Sequence, residues 1–201
     1  MSDKFRQSEP ASRASENSTD YRNPQPKQAH RVTMTIKDAP GAFRWMRPIA
    51  HYDVTDRECL SPPKENPVGR SAPTPTAPIE FVLEQSSEYV YSGLVYADAM
   101  LDKDYTGNGA CHWELTSIVV QIKANGDERE TLFTPGISND ELAPGHSTTV
   151  YFNKASYPRL ASSQLDEPLD TGESDRARFA PSIKDSDLFT VTFKVTEEGA
   201  R

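Results

Sequence analysis

Carboxylates and aromatic rings crowd into one stretch of this chain, Tyr96-Ala-Asp-Ala-Met-Leu-Asp-Lys-Asp-Tyr-Thr-Gly-Asn-Gly-Ala-Cys-His-Trp-Glu114. Asp102, Asp104 and Thr106, followed by Gly107, imitate the opening of a calcium loop, D-x-D-x-[DNST]-G. Such a loop needs a bidentate Glu at its twelfth position; here that position is Trp113, and Glu114 falls one place late. Two other readings stand beside calcium. In one, Asp side chains cap a turn in which Gly107 and Gly109 take positive φ. In the other, Tyr96, Tyr105 and Trp113 supply rigid aromatic anchors, and Asp98, Asp102 and Asp104 supply charges suited to a basic protein partner. The expectation is the last of these, with the six residues as partner contacts and with no metal and no cofactor.

Motifs of catalysis are missing. The sequence contains no G-x-S-x-G, no H-E-x-x-H, no phosphate-cradling Gly-rich loop and no Cys in a protease context. His112-Trp113-Glu114 matches the H-x-E of zinc deaminases, but the P-C-x-x-C half is absent. The reading is therefore of a protein that is not an enzyme. Cys59 and Cys111 lie outside any C-x-x-C motif, and the four His (30, 51, 112, 146) are scattered. An isolated even pair reads as a disulfide in an exported protein, worth roughly 2–4 kcal/mol, or as two buried thiols in a cytosolic one; the expectation is the Cys59–Cys111 disulfide. A second cluster, Tyr151-Phe152-Asn153-Lys154-Ala-Ser-Tyr157-Pro158-Arg159, ends in a long polar loop over 160–186. There Asp166, Glu167, Asp170, Glu173 and Asp175 outnumber Arg176, Arg178 and Lys184. Loops of that length inside a compact domain are often functional.

The elements that must position these residues are strands. Val32, Met34 and Ile36 alternate with Thr33, Thr35 and Lys37, and the same period of two recurs at Ile79–Leu83, Ile118–Ile122 and Phe189–Val195. Less regular strands are expected over 43–54, 88–96, 129–134 and 147–153, with turns at Asn125-Gly126-Asp127, Pro135-Gly136 and Pro144-Gly145. Single helical turns fit near Asp98–Asp104 and Asn139–Leu142. About eight short strands, each with one polar face, predict an all-β fold, an antiparallel β-sandwich or partly open barrel. The chain has 201 residues, enough for one such domain over 31–201. Residues 1–30 hold no Val, Ile or Leu and read as a disordered tether. Residues 61–78 carry six prolines and read as a surface loop. A net charge of −8 argues against a general nucleic-acid binder or a protein held on anionic lipid, and favours a basic partner. The sequence has no apolar run long enough for a transmembrane helix.

Three features together resemble a family of small proteobacterial envelope lipoproteins: the Asp98–Trp113 segment ending in Gly-Ala-Cys-His-Trp, the early Cys59, and Tyr151–Arg159. The resemblance spans about residues 31–195. It implies a lipidated N-terminus, a short polar tether and a β-rich domain in the periplasm. No signal peptide or lipobox is present, so Met1-Ser2-Asp3 is read as a start replacing a removed signal. Some lipoproteins of this kind are immunity proteins beside toxins of antibacterial secretion systems such as type VI. The functional expectation follows: a non-catalytic envelope protein that occludes a basic toxin enzyme. The alternative is a structural or carbohydrate-binding module that stacks sugars on Tyr96, Tyr105 and Trp113.

Overall fold

The computed structural model describes residues 21–66, 69–71, 74–161 and 168–198. In chain order its strands are β1 (Ala29–Lys37), β2 (Trp45–Val54), β3 (Lys64–Asn66), β4 (Gly69–Ser71), β5 (Thr76–Glu80), β6 (Glu84–Ser87), β7 (Val90–Tyr96), β8 (Lys103–Asp104), β9 (Ala110–Cys111), β10 (Trp113–Lys123), β11 (Leu132–Phe133), β12 (Gly136–Ser138), β13 (Ser147–Asn153), β14 (Leu169–Asp170) and β15 (Leu188–Glu197). One sheet runs β13-β15-β1-β7-β6; the other runs β14-β11-β10-β2-β5, with β12 also on β10. This is an all-β, sandwich-like arrangement of mainly antiparallel sheets. Among the described residues there is no α-helix; a 3-10 turn at Asn139–Leu142 stands where the sequence places one.

Period-two alternation builds the core. Val32, Met34 and Ile36 of β1 stand opposite Val195, Phe193 and Val191 of β15, and all six are buried. From the other sheet Ala50, Tyr52 and Val54 pair with Ile118, Leu115 and Trp113. Burying such side chains contributes roughly 1.5–3 kcal/mol each, before the entropy of ordering them is subtracted. One end of the core is aromatic. Phe152 stacks on Phe189 with centroids 5.1 Å apart, and Phe133 meets both edge-on. Tyr157 packs on Phe43 and donates its hydroxyl proton to the Ala42 carbonyl. The Tyr151–Arg159 cluster is thus largely a core staple.

Three boundaries differ from the sequence reading. The sequence places residues 21–30 in the tether, but the structure docks 21–28 on the domain and starts β1 at Ala29. Residues 1–20 of the expected tether lie outside the described residues. The 61–78 stretch is not all loop, since β3 and β4 form a hairpin and β5 pairs with β2. Pro78 is nevertheless well placed. β5 is an edge strand, and its bonds to β2 at Pro75 and Phe81 put residues 76, 78 and 80 on the free side. A proline there removes a donor from the open edge and blocks strand addition. The 160–186 loop contains β14, an antiparallel bridge from Glu173 to Tyr151, and two 3-10 turns; 162–167 lie outside the described residues. Gly172, at φ 69°, lets this segment press on the Val150 and Phe152 side chains, where a Cβ has no room.

Candidate functional site: a disulfide-anchored acidic flap

At the end of the sandwich opposite the aromatic cluster, the chain leaves β7 and forms a flap before entering β10. Its stem is the β8–β9 pair, Lys103 opposite Cys111 and Asp104 opposite Ala110. Cys111 is bonded to Cys59, with a Cα–Cα separation of 5.2 Å, so the expected disulfide is present. The Thr106 hydroxyl donates to the Cys59 carbonyl and ties the flap tip to the same segment.

Asp98, Asp102 and Asp104 each have defined hydrogen-bond partners. Asp104 accepts from the Gly107 amide at 2.6 Å and the Thr106 amide at 3.1 Å, which hold its carboxyl below the usual range. Gly107 and Gly109 take φ of 84° and 110°, as the capped-turn reading requires. Asp102 accepts from the Trp113 amide at 3.0 Å and lies 2.8 Å from His112 Nδ1. That hydrogen bond, then the charge of Asp102, raises the His112 pKa. Asp98 accepts from the amides of Lys27 and Gln28, each at 2.9 Å, and Asn23 Nδ2 donates to its carbonyl. The Asp98 carboxylate therefore helps to hold the N-terminal strap, beside backbone bonds from Leu101 to Tyr21, from Asn23 to Ala99 and from Ala97 to Gln28.

The rings are equally committed. Tyr21 sits edge-on to Tyr105 with centroids 4.4 Å apart and 5.7 Å from Trp113. Tyr105 donates its hydroxyl proton to the Leu101 carbonyl. Trp113, expected as an exposed anchor, is only 9% exposed and belongs to the core. A β-bulge between Leu115 and Ser117 shifts the frame of β10 by one residue and turns Trp113 inward, on the same face as Ile118. Tyr96 is half-buried, and its carbonyl accepts from the Tyr52 hydroxyl at 2.7 Å. The six expected contact residues thus gather at one end of the fold. Trp113 is unavailable to a partner there, and Asp98 and Tyr105 are engaged internally.

The sequence reading missed the charges that remain free. Asp56 and Glu114 flank His112 closely enough to help raise its pKa, and Glu58 directly precedes Cys59. Glu58 and Glu114 are exposed, and among the described residues neither has an ion-pair partner. A signal existed, because a disulfide brings together the charges that flank its cysteines. Asp102 and Asp104 point to different partners, and among the described residues no three His, Cys, Asp or Glu side chains converge as metal ligands. Elsewhere, a cleft of about 510 Å³ opens between β5 and β7, lined by Tyr52, Ile79, Phe81 and Leu94. Burial raises the pKa of Tyr52 on its wall and keeps the phenol neutral.

The chain matches no protein-family model, no curated protein and no solved structure. What the fold and site define is a class: a disulfide-stapled β-sandwich with a rigid acidic end.

Proposed function

We propose that this protein is a non-catalytic envelope binding protein, an immunity protein that occludes a basic toxin enzyme with the acidic flap end. One observation carries the reading. The flap is pinned by the Cys59–Cys111 bond, the Thr106 contact and the Asp98, Asp102 and Asp104 hydrogen bonds, so the backbone that carries Glu58 and Glu114 beside it is anchored before a partner arrives. Pre-organisation lowers the ordering cost of association. Glu58 and Glu114, neither ion-paired among the described residues, stand with Asp56 and the flap carboxylates in a group that outnumbers Arg57 and Lys103, and their charge would steer a basic surface toward it. The disulfide supports an oxidising compartment, and with it the periplasmic reading. The alternative, a sugar-stacking platform of Tyr96, Tyr105 and Trp113, loses its main ring because Trp113 is buried.

The test is affinity capture with the full chain from a lysate of the source organism, followed by assay of the captured protein. A single stoichiometric, basic enzyme whose activity falls when the chain is added is the expected result. An acidic partner, or an enzyme left fully active in the complex, would overturn the reading.

A further inference from the structure

Two sheet edges face each other across the cleft between β5 and β7, and they are not equally guarded. β6 pairs with β7 only at Val90–Ser92, because the chain before Glu84 turns away to β5. Which groups of β7 lie open beyond that point follows from its ladder. The Tyr89 carbonyl accepts from the Ile36 amide of β1, and the Ala97 amide donates to the Gln28 carbonyl. Odd-numbered residues of β7 therefore bond toward β1, and even-numbered ones point to the other edge. There the Tyr96 carbonyl already accepts from the Tyr52 hydroxyl and the Ala99 amide. The Leu94 amide, the Leu94 carbonyl and the Tyr96 amide have no partner among the described residues. Other edges are obstructed: Pro78 interrupts β5, and the bridge from Glu173 to Tyr151 occupies part of β13. The open stretch also borders apolar space. Ile79, Phe81, Leu94 and Val95 line the cleft of about 510 Å³, and Val82 at its rim is 72% exposed. Of the charges on its lining, Arg31 is matched by Glu198 and Glu80 by Arg47, which leaves Glu84 in excess.

From this we infer a second binding surface, distinct from the flap, that takes an extended peptide segment of a protein partner by strand addition to β7. The segment is apolar at every second position and basic at its end. Its carbonyls accept from the Leu94 and Tyr96 amides, and one of its amides donates to the Leu94 carbonyl. Side chains on one face of it enter between Ile79, Phe81 and Val95, and the basic end meets Glu84. A purely apolar ligand would fill the same space but leave the three backbone groups cut off from water without partners, whereas a peptide satisfies both demands. The open stretch spans roughly 10 Å, so the contact is short and its strength depends on backbone bonds and side chains together.

The experiment follows the backbone amides of the full chain by NMR as N-acetylated, C-amidated Lys-Val-Thr-Ile-Thr-Lys is added. In the free chain the Leu94 and Tyr96 amides should exchange at least about tenfold faster than those of Gly93 and Val95, which bond to β1, and bound peptide should slow them by about tenfold or more. The polar peptide Lys-Ser-Thr-Ser-Thr-Lys, of equal charge, should bind at least about tenfold more weakly. Leu94→Pro removes an amide that the β1 ladder does not use and should cost about tenfold or more in affinity. N-methylation of the peptide amides that face β7 should cost as much without touching the fold of the protein. E58K/E114K should leave this binding undiminished, which separates it from the proposal for the flap. Absence of binding, protection confined to the Thr106 and Gly107 amides, or indifference to N-methylation of either alternate set of peptide amides overturns the inference. So does a free chain in which Leu94 and Tyr96 are already protected within a dimer, since the occupant is then a second copy.

Discussion

Removing the Cys59–Cys111 bond is the perturbation whose size the structure sets best. The bond closes a loop across 52 positions, for which the chain-entropy relation gives about 4 kcal/mol near room temperature. Both cysteines are buried, so two variants separate the cross-link from packing: reduced wild type keeps both sulfurs, whereas C59A/C111A loses them. At roughly 2–4 °C per kcal/mol for a chain of this size, reduced wild type should melt about 8–16 °C lower, and C59A/C111A lower still because it also loses buried sulfur packing. The loss should also be local. With Cys59 released, the Thr106 contact to its carbonyl no longer pins the flap, and the Thr106 and Gly107 amides should exchange faster than those of β1 and β15. Thermal melts with and without reductant, with hydrogen exchange read residue by residue, measure both effects. A melting change below about 2 °C, or uniform acceleration of exchange, would refute the view of the bond as the anchor of the flap.

Tyr21→Ala should destabilise by about 1–2 kcal/mol, and removing residues 1–28 should lower the melting temperature by at least a few degrees, since the strap loses its contacts with Tyr105, Trp113 and Asp98. Glu130 is buried and accepts from the Asn125 amide at 2.8 Å and the Gly126 amide at 3.1 Å; Glu130→Ala should cost about 3 kcal/mol in a denaturant titration. Burial pulls the Glu130 carboxyl upward, but the hydrogen bonds from Asn125 and Gly126 outweigh it and the pKa is lowered. Its stabilisation is therefore present above the unfolded value near about 4.3 and is lost as pH falls through the lower folded one. His112 has the opposite sign: its folded pKa is raised, so the contribution of its pair with Asp102 is complete below the unfolded value of about 6.5 and fades as pH rises through the folded one. Proton NMR should place the His112 titration above that of an ordinary histidine, and Asp102→Asn should bring it back down.

The strands with one buried face were legible because a two-residue period leaves its mark directly in the sequence, as in Thr33-Met34-Thr35 and Thr190-Val191-Thr192. β6 was not, because Glu84–Ser87 is an exposed edge with no apolar face to report. Trp113 was assigned to the surface because a bulge leaves no trace in composition; reading back from Ile118 with an unbroken period puts Trp113 on the outer face. The strap was invisible for a different reason. Tyr21 is a lone ring among polar residues, and its partners lie more than eighty positions away, on the far side of a pairing that only the tertiary structure makes. The disulfide was legible from an isolated even pair of cysteines taken together with the reading of an exported β domain. The proposed recognition residues were only half legible, because Asp98, Asp102 and Asp104 have the same composition whether they cap turns or face a partner.

The central claim is that free carboxylates beside the flap, not its capping ones, steer a basic partner. The measurement is the association rate of the captured partner with wild type and with Glu58→Lys/Glu114→Lys, at low salt and at about 150 mM salt. Wild type should associate faster at low salt. The variant should be slower by about tenfold, with a flatter salt dependence and an unchanged melting temperature, because neither side chain has an ion-pair partner among the described residues to lose. Equal rates and equal salt dependence for the two proteins would contradict the account.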